Sequence, residues 1–237
     1  MCRKPAGGKT MTKQITHICF DLDDTLYEQI TPFKQALLSV KPVQEELLRE
    51  IYASFRMHSN ELFFLHQRKE ISFQTMHIKR IQLAMADYGI SISDKEAECF
   101  QLNYQQGQYA ISLSKDTVQL LAYVSSKGVK ISMITNGPEE HQRRKIKSLG
   151  LQSWIEEKDI LISSAVGISK PDSRIFHMVD QSALYVGDSY ENDIIGAKGA
   201  GWDVIWLNKY GLPDKSGLAD YIVQNDGELL QLIRQLI

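Results

Sequence analysis

The chain has 237 residues, with 27 Lys and Arg against 29 Asp and Glu, so its formal net charge is -2. Hydrophobic residues make up 43% and charged residues 24%, the balance of an ordinary globular protein, which excludes collagen-like, low-complexity and wholly disordered chains. Near-neutral charge gives no general attraction to nucleic acid or to an anionic membrane.

In chain order, Ile15 to Phe20 reads as a buried strand that stops at Asp21-Leu22-Asp23-Asp24-Thr25. Thr31-Pro32 reads as a helix start, with Thr31 as cap and Pro32 in the first turn. Apolar stripes at helical spacing follow: Phe33 to Val40, Val43 to Phe55, and Ile78 to Tyr88 closed by Gly89. Ser93 to Glu96 forms a capping box that opens a fourth helix toward Tyr109. From Asp116 the texture alternates. Strands are predicted at Val129 to Ile134, Ile160 to Ser163, Ala183 to Val186, Asp203 to Leu207 and Tyr221 to Val223, with helices between them.

Strand alternating with helix predicts an α/β fold, a doubly wound, Rossmann-like parallel sheet covered on both faces. The expected organisation is a tail over 1–14, an α/β core from 15–30 and 112–237, and an all-helical insertion over 31–111. The odd, widely spaced Cys2, Cys19 and Cys99 argue against a disulfide framework or a zinc knuckle and fit a reducing compartment. No apolar run approaches the roughly 18 residues of a membrane span. The basic stretch Met1 to Lys13 has no apolar segment behind it, so it does not read as a signal peptide. The expectation is a soluble cytoplasmic protein with neither nucleic acid nor membrane as partner.

Parallel α/β sheets bind ligands outside the carboxyl ends of their strands. The chemistry-bearing residues fall there: Asp21 and Asp23 after the first strand, Thr135 and Asn136 after the second, Lys170 in a loop, Asp188 after a later strand and Asp193 in the helix behind it. Carboxylates gathered at neighbouring strand ends repel and raise each other's pKa, a conflict that a hard cation removes. Oxygen-only ligands suit Mg²⁺. A lysine and a hydroxyl beside them suit a phosphoryl group. One carboxylate can then act as nucleophile, and another can move protons to the leaving oxygen and from water.

These segments resemble the four motifs of the haloacid dehalogenase (HAD) superfamily, within its magnesium-dependent phosphatase branch with a helical cap. They are Asp21-Leu22-Asp23-Asp24-Thr25-Leu26, Thr135-Asn136-Gly137, Lys170-Pro171 and Gly187-Asp188-Ser189-Tyr190-Glu191-Asn192-Asp193. By resemblance, Asp21 is the nucleophile and a magnesium ligand. Asp23 is the general acid/base, and its backbone carbonyl also binds magnesium. Thr135 and Lys170 hold the phosphate, Asp188 is a metal ligand, and Asp193 binds the metal or its waters and orients Lys170 or a neighbour. True dehalogenases of the family lack an aspartate two residues after the nucleophile, so Asp23 points to phosphoryl chemistry. The resemblance implies a phosphomonoester hydrolase working through an aspartyl-phosphate on a small nucleotide, sugar phosphate or phosphoglycolate. A phosphomutase of the same family and a phospho-receiver signalling module are the rivals. In the insertion, read as the family's cap, His66 and Arg68 are candidate substrate contacts.

Other features take plainer readings. Asn136 reaches phosphate through side chain or backbone, or serves only its turn. Asp24 points away from Asp21 and Asp23 by alternation. Thr25 bonds the backbone of its turn. Arg143-Arg144-Lys145 behind Glu139-Glu140 reads as a solvated helix face. The aromatic residues between Asn60 and Phe73 read as core of the insertion. Gly8-Lys9-Thr10 lacks the first glycine and the preceding strand of a P-loop.

Overall fold

The computed structural model describes residues 14–179, 183–214 and 216–237. The expected tail over 1–14 lies, Gln14 apart, outside the described residues. In chain order the elements are β1 (His17–Phe20), α1 (Ile30–Val40), α2 (Leu48–Gln67), α3 (Phe73–Ala86), α4 (Asp94–Gly107), α5 (Lys115–Ser126), β2 (Lys130–Thr135), α6 (Glu139–Ser148), β3 (Ile160–Ile162), α7 (Ser163–Val166), α8 (Ser173–Phe176), β4 (Leu184–Gly187), a π-helical turn over Tyr190–Ile194, α9 (Ile195–Gly199), β5 (Asp203–Leu207), β6 (Tyr221–Val223) and α10 (Asp226–Leu236). They divide into two compact units: the segments up to Glu28 and from Ser112 onward, and Gln29–Ile111.

The first unit is the predicted parallel sheet, with helices flanking it. Its strands run in the order β3-β2-β1-β4-β5-β6, all parallel, the order of a doubly wound fold whose switch point lies beside β1. β1 is central, so its apolar run is buried at every position. Successive side chains serve opposite faces. Cys19, Ile134, Tyr185, Val204 and Trp206 share a cluster with Ile175 and Phe176 of α8 and with Trp202. The helix predicted after Pro171 is only the four-residue α8, with Asp172 accepting from the Arg174 backbone N–H as its cap.

The second unit is all helix among its described residues. α1 packs on α4 and α2 on α3. Its core is aromatic. Phe33 lies 5.1 Å from Tyr52, 5.0 Å from Phe55, 5.5 Å from Phe100 and 6.2 Å from Tyr104, ring centre to ring centre. The capping box forms as the sequence predicts: Ser93 accepts from the Glu96 N–H while Glu96 accepts from the Ser93 N–H. Two expectations fail. Thr31 is not the cap of α1, because the helix already begins at Ile30 and Thr31 lies inside it; Pro32 still falls in the first turn, where a missing N–H is harmless. Phe63 and Phe64 are 43% and 63% exposed, because α2 continues to Gln67 beyond the stripe that faces the core.

Truncating Phe33, which is fully buried among four aromatic rings, leaves a cavity that costs about 3–5 kcal/mol. Phe33→Ala should lose that much in chemical denaturation, with amide-exchange protection falling throughout Gln29–Ile111. A loss under about 1 kcal/mol would contradict the packing described.

Candidate active site

The site is built from adjacent strand ends. Phe20 lies level with Met133 of β2 and Val186 of β4. Asp21 is the next residue, held by its N–H donating to the Val186 carbonyl at 2.9 Å. Thr135 closes β2, and Asp188 follows β4. Asp193, in the π-helical turn, reaches back over Gly187. A Cβ at Gly187 would lie 2.5 Å from the Asp193 carboxylate carbon, so only glycine admits that approach. Carboxylate oxygens of Asp21, Asp188 and Asp193 all lie within 4.8 Å of one another.

Lys170 enters this cluster from the loop before α8. Asn136 holds the loop with both ends of its amide: Nδ2 donates to the Lys170 carbonyl at 2.9 Å, and Oδ1 accepts from the Lys170 N–H at 3.0 Å. The Asn136 side chain thus holds the Lys170 peptide with one amide hydrogen and its oxygen. The ammonium donates to Asp21 Oδ1 at 2.5 Å, to Asp193 Oδ1 at 2.5 Å and to the Tyr185 hydroxyl at 3.0 Å, which uses its three hydrogens. Tyr185 in turn donates to Asp193, and the Ser189 N–H donates to the other Asp193 oxygen. Burial pushes the Asp21 carboxyl up; Lys170 opposes the rise and the charges of Asp193 and Asp23 add to it, leaving it at about 7. Nearby, burial keeps the Cys19 thiol protonated, at about 12.

Asp23 has a different environment. It receives Lys145 Nζ at 2.7 and 3.0 Å, Gln142 Nε2 at 3.0 Å and the Tyr27 hydroxyl at 2.5 Å. Burial would raise this carboxyl, but the Lys145 charge and these hydrogen bonds outweigh it and bring it down to about 2. Gln142 Nε2 also donates to Thr135 Oγ1 at 2.6 Å, so the Thr135 hydroxyl keeps its own proton to donate. Gly137, at φ 142, passes so close to Gln142 that a Cβ would lie 3.2 Å away, and its N–H is held by Ser163 Oγ at 3.0 Å.

Sequence reasoning missed Tyr27, Gln142, Lys145 and Tyr185. The reading of α6 as a solvated face holds for Arg143 and Arg144, which pair with Glu139 and Glu140 one turn away. It fails for Lys145, only 3% exposed, because that helix position turns toward Asp23. A lysine three residues after a glutamine on one short helix was the available signal. Thr25 departs from expectation too: its hydroxyl is buried without a hydrogen-bond partner among the described residues. Asp24 is buried at φ 60. In the helical unit, His66 Nδ1 meets the Ile71 carbonyl at 3.2 Å, and Arg68 pairs with Glu70 on the surface.

The Asp23–Lys145 pair has a definite pH signature. A carboxyl depressed from 3.8 to about 2 stabilises the fold above pH about 4, and that contribution is lost as pH falls toward 2. Lys145→Met should therefore melt below the wild type at pH 6, with the gap closing between pH 4 and 2. A gap independent of pH would show that Lys145 acts by packing alone.

Comparison with known proteins fits this geometry. The profile described as haloacid dehalogenase-like hydrolase matches residues 15–201. A glyceraldehyde 3-phosphate phosphatase from Methanopyrus kandleri is 24% identical over 94% of this chain and 98% of its own length. The protein of the same name from Pyrococcus abyssi is 30% identical over 82% of this chain and 81% of its own. Among solved structures, the HAD-hydrolase YfnB from Bacillus subtilis, described as bound to magnesium, superposes with a TM-score of 0.67 at 20% identity, covering 93% of this chain and 99% of that one. The chain belongs to the haloacid dehalogenase-like hydrolases.

Proposed function

We propose that this enzyme hydrolyses a small phosphomonoester, with magnesium as cofactor and an aspartyl-phosphate as intermediate. The observation that carries the reading is the gathering of Asp21, Asp188 and Asp193 within 4.8 Å, with the Lys170 ammonium on Asp21. Relatives named as phosphatases support it. Asp23 supports it over dehalogenation, since the family's dehalogenases lack an aspartate there.

The donor set fits magnesium. Every side chain in the cluster offers hard oxygen, the ligand type magnesium takes. Asp21, Asp188, Asp193 and the Asp23 carbonyl are the groups we assign to it. When bound, the ion supplies Lewis-acid charge to phosphoryl oxygens and neutralises the carboxylates that would otherwise repel an anionic ester.

The remaining steps belong to the chain. The Thr135 hydroxyl, the Asn136 backbone N–H and Lys170, which gives up its bond to Tyr185 to do so, hold the phosphoryl oxygens. An Asp21 oxygen attacks phosphorus, and the bond from phosphorus to the ester oxygen breaks. Asp23 gives that oxygen a proton. Because Lys145, Tyr27 and Gln142 keep Asp23 ionised beforehand, the proton arrives with the substrate, whose monoester phosphate has a second pKa near ~6. Asp23 then takes a proton from water, the water oxygen attacks the phosphorus of the aspartyl-phosphate, and inorganic phosphate leaves as Asp21 is restored. We assign the helical insertion the role of a cap that admits only small esters, as the resemblance implies. A cytoplasmic location belongs to the same reading and is supported by the cysteine usage. No helix among the described residues is long and apolar enough to cross a membrane.

The direct test is a screen of nucleotides, sugar phosphates and phosphoglycolate for phosphate release. Asp21→Asn should lower kcat at least about a thousandfold. Chelation should abolish turnover and added Mg²⁺ restore it. Activity that survives either treatment would overturn the mechanism. A second measurement uses the proton on Asp21. The folded chain holds it up to about pH 7, against 3.8 ordinarily, so metal-stripped protein loses this contribution to stability as pH rises from about 4 to 7. Metal and proton compete for that carboxylate. The rise in Tm caused by Mg²⁺ should therefore be larger at pH 8 than at pH 5, and an equal rise would count against Asp21 as a ligand.

A further inference from the structure

The inward face of α6 is polar where a helix that merely packs would be apolar. Its buried residues are Gln142, Lys145 and Ile146. Gln142 and Lys145 stand three positions apart, so they share a face, and both reach the Asp23 carboxylate. Burying an amide and an ammonium costs free energy that apolar side chains of similar size would not.

The Gln142 amide has one orientation that satisfies its neighbours. Lys145 Nζ lies on both Asp23 oxygens, at 2.7 and 3.0 Å, so Asp23 is an acceptor and the amide end that meets it is the nitrogen. One Nε2 hydrogen goes to Asp23 Oδ2 at 3.0 Å and the other to Thr135 Oγ1 at 2.6 Å. Thr135 therefore accepts from Gln142. That is its one side-chain hydrogen bond among the described residues, and Thr135 is buried. The hydroxyl's own hydrogen is thus left without a protein acceptor, which costs free energy until a ligand oxygen takes it. The turn at Gly137 packs on the same amide: a Cβ there would lie 3.2 Å from Gln142 Cγ and Cδ, so the side chain has little room to swing.

We propose that Gln142 is a positioning residue, held in place by the Lys145–Asp23 pair, which turns the Thr135 hydroxyl so that its hydrogen is presented to a phosphoryl oxygen. The proposal rests on the phosphatase reading, in which Thr135 touches the phosphate. A free hydroxyl must be ordered when the ester binds, whereas one fixed by Gln142 is aimed beforehand.

A double-mutant cycle between Gln142→Met and Thr135→Val tests it, with inorganic phosphate and Mg²⁺ titrated calorimetrically into the full chain. Each single variant should bind phosphate about tenfold more weakly, the loss of one hydrogen bond to a charged group. The double variant should be no more than about threefold weaker than Thr135→Val, because Gln142 acts through the hydroxyl. Wild-type affinity in Gln142→Met, or losses that multiply in the double variant, overturns the proposal. With p-nitrophenyl phosphate, Gln142→Met should raise KM about tenfold; a lowered kcat at unchanged KM is the mark of lost active molecules and also overturns it. Folding is checked by circular dichroism. Where Gln142→Met does not fold, Gln142→Glu decides: its carboxylate accepts from Thr135 and draws the hydrogen away, so phosphate binding should weaken, and less so in the Thr135→Val background. Wild-type affinity in that variant overturns the proposal. A wild type that neither binds phosphate nor hydrolyses any ester ends the phosphatase reading and this proposal together, whereas failure of the proposal alone leaves wild-type phosphate binding intact.

Discussion

The Lys170 ammonium held between Asp21 and Asp193 is the interaction on which the rest of the site depends. All three groups are almost fully buried, and a buried carboxylate without its cation is strongly destabilising. The surrounding structure is arranged to keep that contact. Asn136 fixes the lysine's peptide from both sides, Tyr185 fills the third ammonium hydrogen, and Gly187 leaves room for the Asp193 side chain. The sheet order supplies the rest, because β2, β1 and β4 are neighbours and end together.

Asp21 and Asp23 are two residues apart and have opposite electrostatics. Asp21 sits among other carboxylates in a dry setting and is held up near neutrality, while Asp23 turns to a lysine, a phenol and an amide and is held far down. Such a separation lets two identical side chains take different tasks. It also brings α6 into the same arrangement, since Gln142 ties the Thr135 hydroxyl to the Asp23 carboxylate.

Much of this could be read from the residues alone. Asp21, Thr135 and Asp188 follow or close short apolar runs, and a parallel sheet brings strand ends to one edge, so linear order was enough to group them; Lys170, in a loop, was grouped with them only through its motif. The alternation of strand and helix likewise predicted the sheet. What escaped was set by rotation rather than by order. Neighbouring residues on a helix point about 100° apart, so Arg143-Arg144-Lys145 looked like one solvated run although its last member turns inward. Tyr185 is an interior strand residue whose hydroxyl matters only because Lys170 arrives from a distant loop. Phe63 and Phe64 were expected inside on hydrophobicity, but the apolar stripe of α2 had already passed its contact with the core. Asn136 was singled out as a phosphate contact or a turn residue, and its two hydrogen bonds to the Lys170 peptide escaped because they depend on a partner 34 positions away.

The insertion of Gln29–Ile111 between β1 and β2 has a consequence for biogenesis. β1 is the central strand, yet its first sheet neighbour begins only at Lys130 and its second at Leu184. On the ribosome, the helical segment emerges complete, with its aromatic core able to close locally, before the sheet has a second strand to assemble. The apolar His17–Phe20 segment must wait unpaired through that interval, so exposure to mispairing and chaperone capture during synthesis falls on this strand.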